Sequence, residues 1–321
     1  MNKIISLKQY GNSENLEILE QAIQPPNDDE VQIKQSAIGV NFVDIYFRDG
    51  IYKFPNLPGV LGVEAVGEIS AIGKNVSGFT IGDIVAYAGF PIGSYVQYRN
   101  IDARRIIKIP TKINSKLLAG NFLRGLTAAA LLFHVIEPKN GMKILVHSAA
   151  GGLGTILTKW AAHLGIEIFA TVSNDYKAEI AQANGAHHVI NYKSQDFVKK
   201  VLEITNGKGV DYVIDGVGGD NLRDSFRAVR QFGIVANIGQ ITPIAPINIT
   251  EITNIFVSRP SILSLIEDAK IYKSLAKKYF DFVVSSGGFE HGHDYAFADY
   301  QAALNLLEAG KNIGSIRLLL G

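Results

Sequence analysis

Residues 143–157 read KILVHSAAGGLGTIL: an apolar run, a knot of small residues, then a second apolar run. Ala149, Gly151 and Gly154 stand at the three spacings at which a strand-to-helix turn admits a pyrophosphate. The chemistry is that of a backbone cradle. Small side chains let the main chain approach the ligand. The free N–H groups and the positive end of the following helix then bind the anion. The candidate contacts are Ala150, Gly151, Gly152, Leu153 and Gly154. Alanine at the first place is a mild departure, since it adds only a Cβ.

A neighbouring stretch bears on which dinucleotide fits. EIFATV ends without the acidic residue that would hold ribose hydroxyls; Ser173 and Asn174 follow, with Asp175 slightly beyond. Ser173 and Lys177 supply a hydroxyl and a cation, which suit a 2′-phosphate, so the pattern favours NADPH over NADH. The competing reading makes Lys177 a solvated helix residue and Asp175 its N-cap. Tyr192, closing HHVINY, is a candidate for stacking or phosphate contact.

These residues need elements to hold them. From Met142 onward, short strands alternate with helices: KILVH, EIFATV, HHVINY, DYVIDGV and FGIVANIG are each separated by a helical segment. That alternation predicts parallel strands with right-handed crossovers, a doubly wound sheet. The first hundred residues differ. EVQIKQSAIGV alternates as a strand does, GVEAVGEISAIG and GDIVAYA are β-branched runs broken by glycine, and prolines punctuate the loops. They predict a mostly β domain. SKLLAGNFLRGLTAAALLFHVI has helical spacing, Lys270 to Val284 reads as a long helix, and IGSIRLLL reads as a closing strand. The expected architecture inserts the dinucleotide-binding domain (122–261) into a substrate domain made of 1–121 and 262–321.

Composition sets the outer bounds. A chain of 321 residues that is 47% hydrophobic and 19% charged can bury a substantial core. A net charge of +1 gives no overall reason to expect nucleic acid or an anionic membrane as partner. With no cysteine, thiolate catalysis and sulfur-ligated metal are excluded. The apolar start MNKIISL is broken at Lys8 and Gln9, and no run approaches the roughly 18 apolar residues of a membrane span. A cytoplasmic enzyme is expected.

Taken together, NFVDIYFRDGIY, LPGVLGVEAVGEI, FLRGLTAA, VHSAAGGLG, VINY and SRPS resemble the zinc-free quinone oxidoreductases of the medium-chain dehydrogenase/reductase superfamily. The resemblance covers essentially the whole chain. It implies an α/β protein, with a doubly wound parallel Rossmann sheet inserted in a mostly β, GroES-like substrate domain. It further implies NADPH as hydride donor, a quinone or similar electron-poor acceptor in an inter-domain cleft, and a homodimer. Zinc-dependent relatives carry a cysteine in the stretch where this chain has Asn41 and a histidine in a GHE motif where Val63 precedes Glu64, so no catalytic zinc is expected.

By the same resemblance, the segment holding Asn41, Asp44, Tyr46 and Tyr52 is read as a loop facing the nicotinamide. Asn41 is the candidate to hydrogen-bond cofactor or substrate, and Tyr46 and Tyr52 to stack on the ring or donate a hydroxyl. These three are the catalytic candidates; packing is the competing role for the tyrosines, and loop capping for Asp44. Thr127 matches a position beside the nicotinamide, although Ala128, Ala129 and Ala130 stand where close relatives have tyrosines, which implies an altered pocket. Ile238, Gly239 and Gln240 after one strand, Ser258 beside Arg259 after another, and Arg317 in the last complete the cofactor candidates.

HGHD at His291 to Asp294 lacks a third ligand and is not read as a metal site. His187 and His188 are read as loop residues, and VKKVLEITNGKG as a solvent-facing helix and turn. Two other functions compete with quinone reduction. One is NADPH-dependent reduction of an activated double bond in an enone, alkenal or enoyl thioester. The other is a non-catalytic NADPH- or RNA-binding role.

Overall fold

The computed structural model describes residues 1–288 and 291–321. The chain opens with β1 (Asn2–Leu7), β2 (Leu16–Gln21), β3 (Glu30–Gly39), α1 (Phe42–Arg48), β4 (Gly59–Val60), β5 (Glu64–Ile72), β6 (Ile84–Ala88), β7 (Tyr98–Asp102) and β8 (Ile106–Lys108). Two helices follow, α2 (Ser115–Leu118) and α3 (Phe122–Ala130). Next come β9 (Lys143–Val146), α4 (Gly152–His163), β10 (Glu167–Val172), α5 (Asp175–Ala183), β11 (His188–Asn191), α6 (Phe197–Ile204), β12 (Val210–Asp215), α7 (Gly219–Ala228), β13 (Val229–Asn237) and β14 (Phe256–Ser258). The tail holds α8 (Ile262–Leu265), α9 (Ala269–Ser286), β15 (Gly292–Ala296), α10 (Tyr300–Glu308) and β16 (Ser315–Leu319).

Two compact units result: Met1–Leu126 with Leu263–Gly321, and Thr127–Ile262. The junctions fall inside α3 and α8.

In the first unit a seven-stranded sheet runs β15-β16-β3-β5-β6-β8, with β7 also on β3. All its pairings are antiparallel except β15 with β16. Ile33, Ile38, Tyr87, Tyr95, Leu304 and Leu318 belong to its core. In the second unit every pairing is parallel, and the order is β11-β10-β9-β12-β13-β14. Strand order reverses between β9 and β12, the point at which such sheets bind ligands beyond their carboxyl ends. Leu145, Phe169 and Val213 fill the layer beneath α6 and α7 with Val201 and Phe226.

Four sequence expectations need correction. The Asn41 segment is a helix, not a loop: Asp44 Oδ2 accepts the Asn41 N–H at 2.8 Å, Ile45 and Phe47 are buried, and Gly50 stops the turn at φ +75°. The helical pattern after Ser115 breaks at Gly120, whose φ of +74° lies outside the helix region. His188 begins β11 and bonds Glu167 at 2.8 Å, because its register places it beside β10. Helix α6 is amphipathic rather than solvent-facing throughout, burying Phe197, Val198 and Val201.

Candidate active site

The phosphate cradle is built by β9, a strained turn and α4. Ser148 adopts φ +53°, a left-handed conformation that a non-glycine residue holds only under local constraint. Its carbonyl accepts the Gly151 N–H at 2.8 Å and turns the chain into α4. A Cβ on Gly154 would lie 2.2 Å from that carbonyl and 2.7 Å from Ala149 Cα, so glycine is obligatory there. At Gly151 the same approach is 3.2 Å, tight but less severe. Ala149 and Ala150 are buried, which explains why alanine is tolerated at the first place. The first-turn N–H groups of α4, from Gly152 to Gly154, have no intrahelical acceptor by helix geometry. The turn therefore has the shape and donors of an anion site.

The other second-unit candidates gather on the same carboxyl edge. Asn174, not Asp175, caps α5: its side chain accepts the Lys177 N–H at 2.9 Å. Asp175 instead accepts from Asn191 Nδ2 at 3.3 Å, so it is engaged beside β11. Lys177 lies in the first turn of α5, and its partial burial lowers its pKa. Ser173 sits between the end of β10 and the cap, and Tyr192, which follows β11, is exposed. Hydroxyl, lysine and the absence of an acid at the strand end fit a phosphate better than a bare ribose. Ile238, Gly239 and Gln240 follow β13. Asn237 donates to the Gly239 carbonyl at 2.8 Å, while Arg259, next to Ser258, donates to Asn237 Oδ1 at 2.7 Å and Gln240 Oε1 at 2.9 Å. Thr127 lies within α3.

The first-unit candidates form a charged cluster around α1. Asn41 donates its side-chain amide to Glu64 Oε1 at 2.7 Å, and the Leu123 N–H donates to Glu64 Oε2 at 3.0 Å. Asp44 Oδ2 also accepts from the Tyr95 hydroxyl at 3.1 Å, whereas Asp44 Oδ1 is buried without a hydrogen-bond partner. Burial, partly offset by these bonds, pushes the Asp44 carboxyl up to about 7. Burial also raises Glu64, against Asn41 and Leu123, which pull it down. Arg124 donates to the carbonyls of Gly120 at 2.6 Å and Val40 at 2.9 Å. Buried beside two carboxyls, it leaves the cluster with one cation for two acids.

Tyr46 and Tyr52 meet edge to face at 5.5 Å and 70°. Tyr46 is 9% exposed and Tyr52 40%, so Tyr52 is the ring open to a ligand. Arg317 is buried in β16 opposite Gly39, and its Nε donates to Asp294 Oδ1 at 2.6 Å. The HGHD stretch thus supplies an arginine partner, and His293 accepts the Ile313 N–H at 3.2 Å. Among the described residues no group of three or more His, Cys, Asp or Glu side chains is placed to hold a metal.

Sequence reasoning missed Glu64, Arg124 and Tyr95 as partners of α1, and His147 and Asp215 as partners of the cradle. Gly39 offered one signal, legible only afterwards: a Cβ there would lie 2.3 Å from Glu64 Oε1.

Residues 27–111 match the alcohol dehydrogenase GroES-like domain, and 152–285 the zinc-binding dehydrogenase family. A quinone oxidoreductase of Pseudomonas aeruginosa is 33% identical over 99% of this chain and 100% of its own. A 2-haloacrylate reductase of Burkholderia sp. is 36% identical over 96% of both. The crystal structure of Escherichia coli quinone oxidoreductase complexed with NADPH superposes with a TM-score of 0.94 at 33% identity, covering 99% of this chain and all of that one.

Proposed function

We infer, because this chain belongs to the quinone oxidoreductase family of medium-chain dehydrogenases/reductases, that it is an NADPH-dependent reductase of quinones or similarly electron-poor acceptors. The observation that carries the reading is the edge of the parallel sheet: an obligatory Gly154 under a strained turn, with Ser173 and Lys177 in place of a ribose-binding acid. Ala150 to Gly154 would hold the pyrophosphate, Ser173, Lys177 and Tyr192 the 2′-phosphate end, and Ile238 to Gln240 with Ser258 the nicotinamide side. Thr127 and Arg317 stay assigned to the cofactor by resemblance.

NADPH, when bound, supplies a hydride, and a quinone that takes it together with a proton becomes a hydroquinone. The chain's own residues bind and orient. Glu64 accepts one amide hydrogen of Asn41, which fixes the plane of that amide. Tyr52, beyond the end of α1, offers a ring face and hydroxyl, braced by Tyr46 and by Phe47 at 5.5 Å. Fully buried Asp44 acts as a positioning residue, locking the start of α1 through the Asn41 N–H. A quinone needs little electrophilic help, since hydride addition generates an aromatic ring, so amides and hydroxyls are sufficient donors.

Rapid NADPH oxidation with a quinone panel, slow NADH oxidation, and insensitivity to chelators would support this. The 36% identity to a 2-haloacrylate reductase favours a second reading, reduction of an activated double bond. Turnover of enones but not quinones would select it. Tight NADPH binding without turnover of either would select a non-catalytic role.

The homodimer and cytoplasmic location belong to the same proposal. Strand β14 ends the parallel sheet and exposes Phe256 (60%) and Val257 (39%), an open apolar edge of the sort that pairs with a second copy. Light scattering on Phe256→Glu, expected to yield monomer, tests it.

A further inference from the structure

His147 ends the first strand of the cradle, one residue before strained Ser148, yet its side chain turns away from any ligand into the protein. Its Nδ1 lies 3.0 Å from Thr171 Oγ1 on β10, and its Nε2 3.0 Å from Ser225 Oγ on α7. The edge of its ring meets Phe197 at 4.8 Å. Ser225 has one proton and two acceptors for it, Asp215 Oδ2 at 3.2 Å and the Asn221 carbonyl at 2.8 Å. Neither can donate to it, so a proton on His147 Nε2 is the arrangement that lets the Ser225 hydroxyl donate to one of them. That arrangement places the imidazole proton on Nε2, with Nδ1 accepting the Thr171 hydroxyl.

The chain of bonds continues past Ser225. Asp215 takes the N–H groups of Val217 at 2.9 Å and Gly218 at 2.8 Å on Oδ1, and Asn221 Nδ2 at 2.7 Å on Oδ2. Its main-chain carbonyl accepts the Ile238 N–H at 2.8 Å, and the Val217 carbonyl accepts Thr242 N–H at 2.8 Å. On the other side, Thr171 gives its carbonyl to the Ala149 N–H at 3.1 Å. Both ends of this buried chain thus grip ligand-facing turns: 148–152 on one side of the strand-order reversal, 216–218 and 238–242 on the other.

We propose that Thr171, His147, Ser225 and Asp215 are positioning residues that hold the phosphate cradle and the turns after β12 and β13 as one unit. The consequence for cofactor binding rests on the reading that this edge takes NADPH; the mechanical coupling does not. Removing the hydroxyl that joins the halves uncouples them while leaving every ligand-facing residue in place.

The test is Ser225→Ala, a small change that a helix accepts, with Thr171→Val as a second variant cutting the opposite bond. Amide hydrogen exchange on the ligand-free protein is expected to rise at least fivefold in 148–154 and in 216–218 together. Imidazole nitrogen shifts in the wild type are expected to show the Nε2–H form. The Kd for NADPH is expected to rise five- to tenfold, with kcat at saturating NADPH within twofold of wild type. Exchange that rises only on the mutated side, or an Nδ1–H imidazole, would overturn the proposal even if NADPH binds. A wild type that binds no NADPH, with the variants' exchange still rising in both segments, would overturn only the cofactor reading. Unchanged Kd in a variant whose exchange has risen in both 148–154 and 216–218 would refute the link to affinity.

Discussion

The two buried polar networks of this protein solve opposite problems. Around the cradle, Thr171, His147, Ser225 and Asp215 form a chain in which the imidazole stays neutral and the carboxylate is saturated with donors. Around α1, two carboxyls face one guanidinium, and Asp44 Oδ1 finds no partner. The first network shapes a backbone that does the binding itself. The second must hold a side-chain amide, Asn41, at a chosen angle, and it accepts an electrostatic cost to do so. Backbone sites want rigid, satisfied support. Side-chain sites tolerate strain.

The contrast can be broken most severely at Gly154. Gly154→Val is expected to cut NADPH affinity by roughly a hundredfold or more, because its side chain must displace the Ser148 carbonyl; fluorescence titration measures this. On the other side, Glu64→Leu is expected to cost about 3 kcal/mol in urea unfolding, since it strips Asn41 and Leu123 of an acceptor and leaves Arg124 less compensated. Glu64→Gln should lose less. Lys177→Ala is expected to weaken NADPH about tenfold with NADH nearly unchanged, the size of one charge-assisted contact.

The smallest effect separates the networks by sign. Burial depresses His147 to about 4 from an ordinary value of 6.5, so the unfolded chain binds the extra proton first. Its contribution is complete above about 6.5 and is lost as pH falls toward 4. Burial raises Asp44 from 3.8 to about 7, so here the folded chain holds the proton longer. Stability from this group is present below about 3.8 and is lost as pH rises through 7. His147→Phe is expected to flatten the acid limb of a Tm-versus-pH curve, and Asp44→Asn the neutral limb. Loss of the same limb in both variants would erase the distinction drawn here.

The same contrast explains what the sequence revealed. KILVHSAAGGLG announces a cradle because backbone approach demands small residues at fixed, local spacings, and the parallel sheet is written in alternating strands and helices. Asn174 could not be preferred over Asp175 as cap, since both are good cap residues and the choice depends on where α5 starts. Glu64 and Arg124 lie 23 and 83 residues from Asn41 in a chain whose charged residues are mostly solvated, and no local pattern marks a carboxyl that will be buried. Arg317 was visible, but its Asp294 partner sat inside a stretch that invites a metal reading. Helix α1 was mistaken for a loop because its seven residues are too few to display a period.

The strand order of the first unit also sets a schedule for synthesis. Strand β3 pairs along one edge with β5 and along the other with β7 over Glu30–Lys34 and with β16 over Ala37–Gly39, so that second edge is completed only by Arg317–Leu319. The Thr127–Ile262 unit is contiguous and can close as soon as it has left the ribosome. The first unit, begun earlier, keeps the Ala37–Gly39 part of that edge open until Ser315–Leu319 have been made. A chain lacking Ser315–Leu319 would carry a finished parallel sheet and, in the first unit, an unpaired strand edge, a natural target for chaperones and proteases.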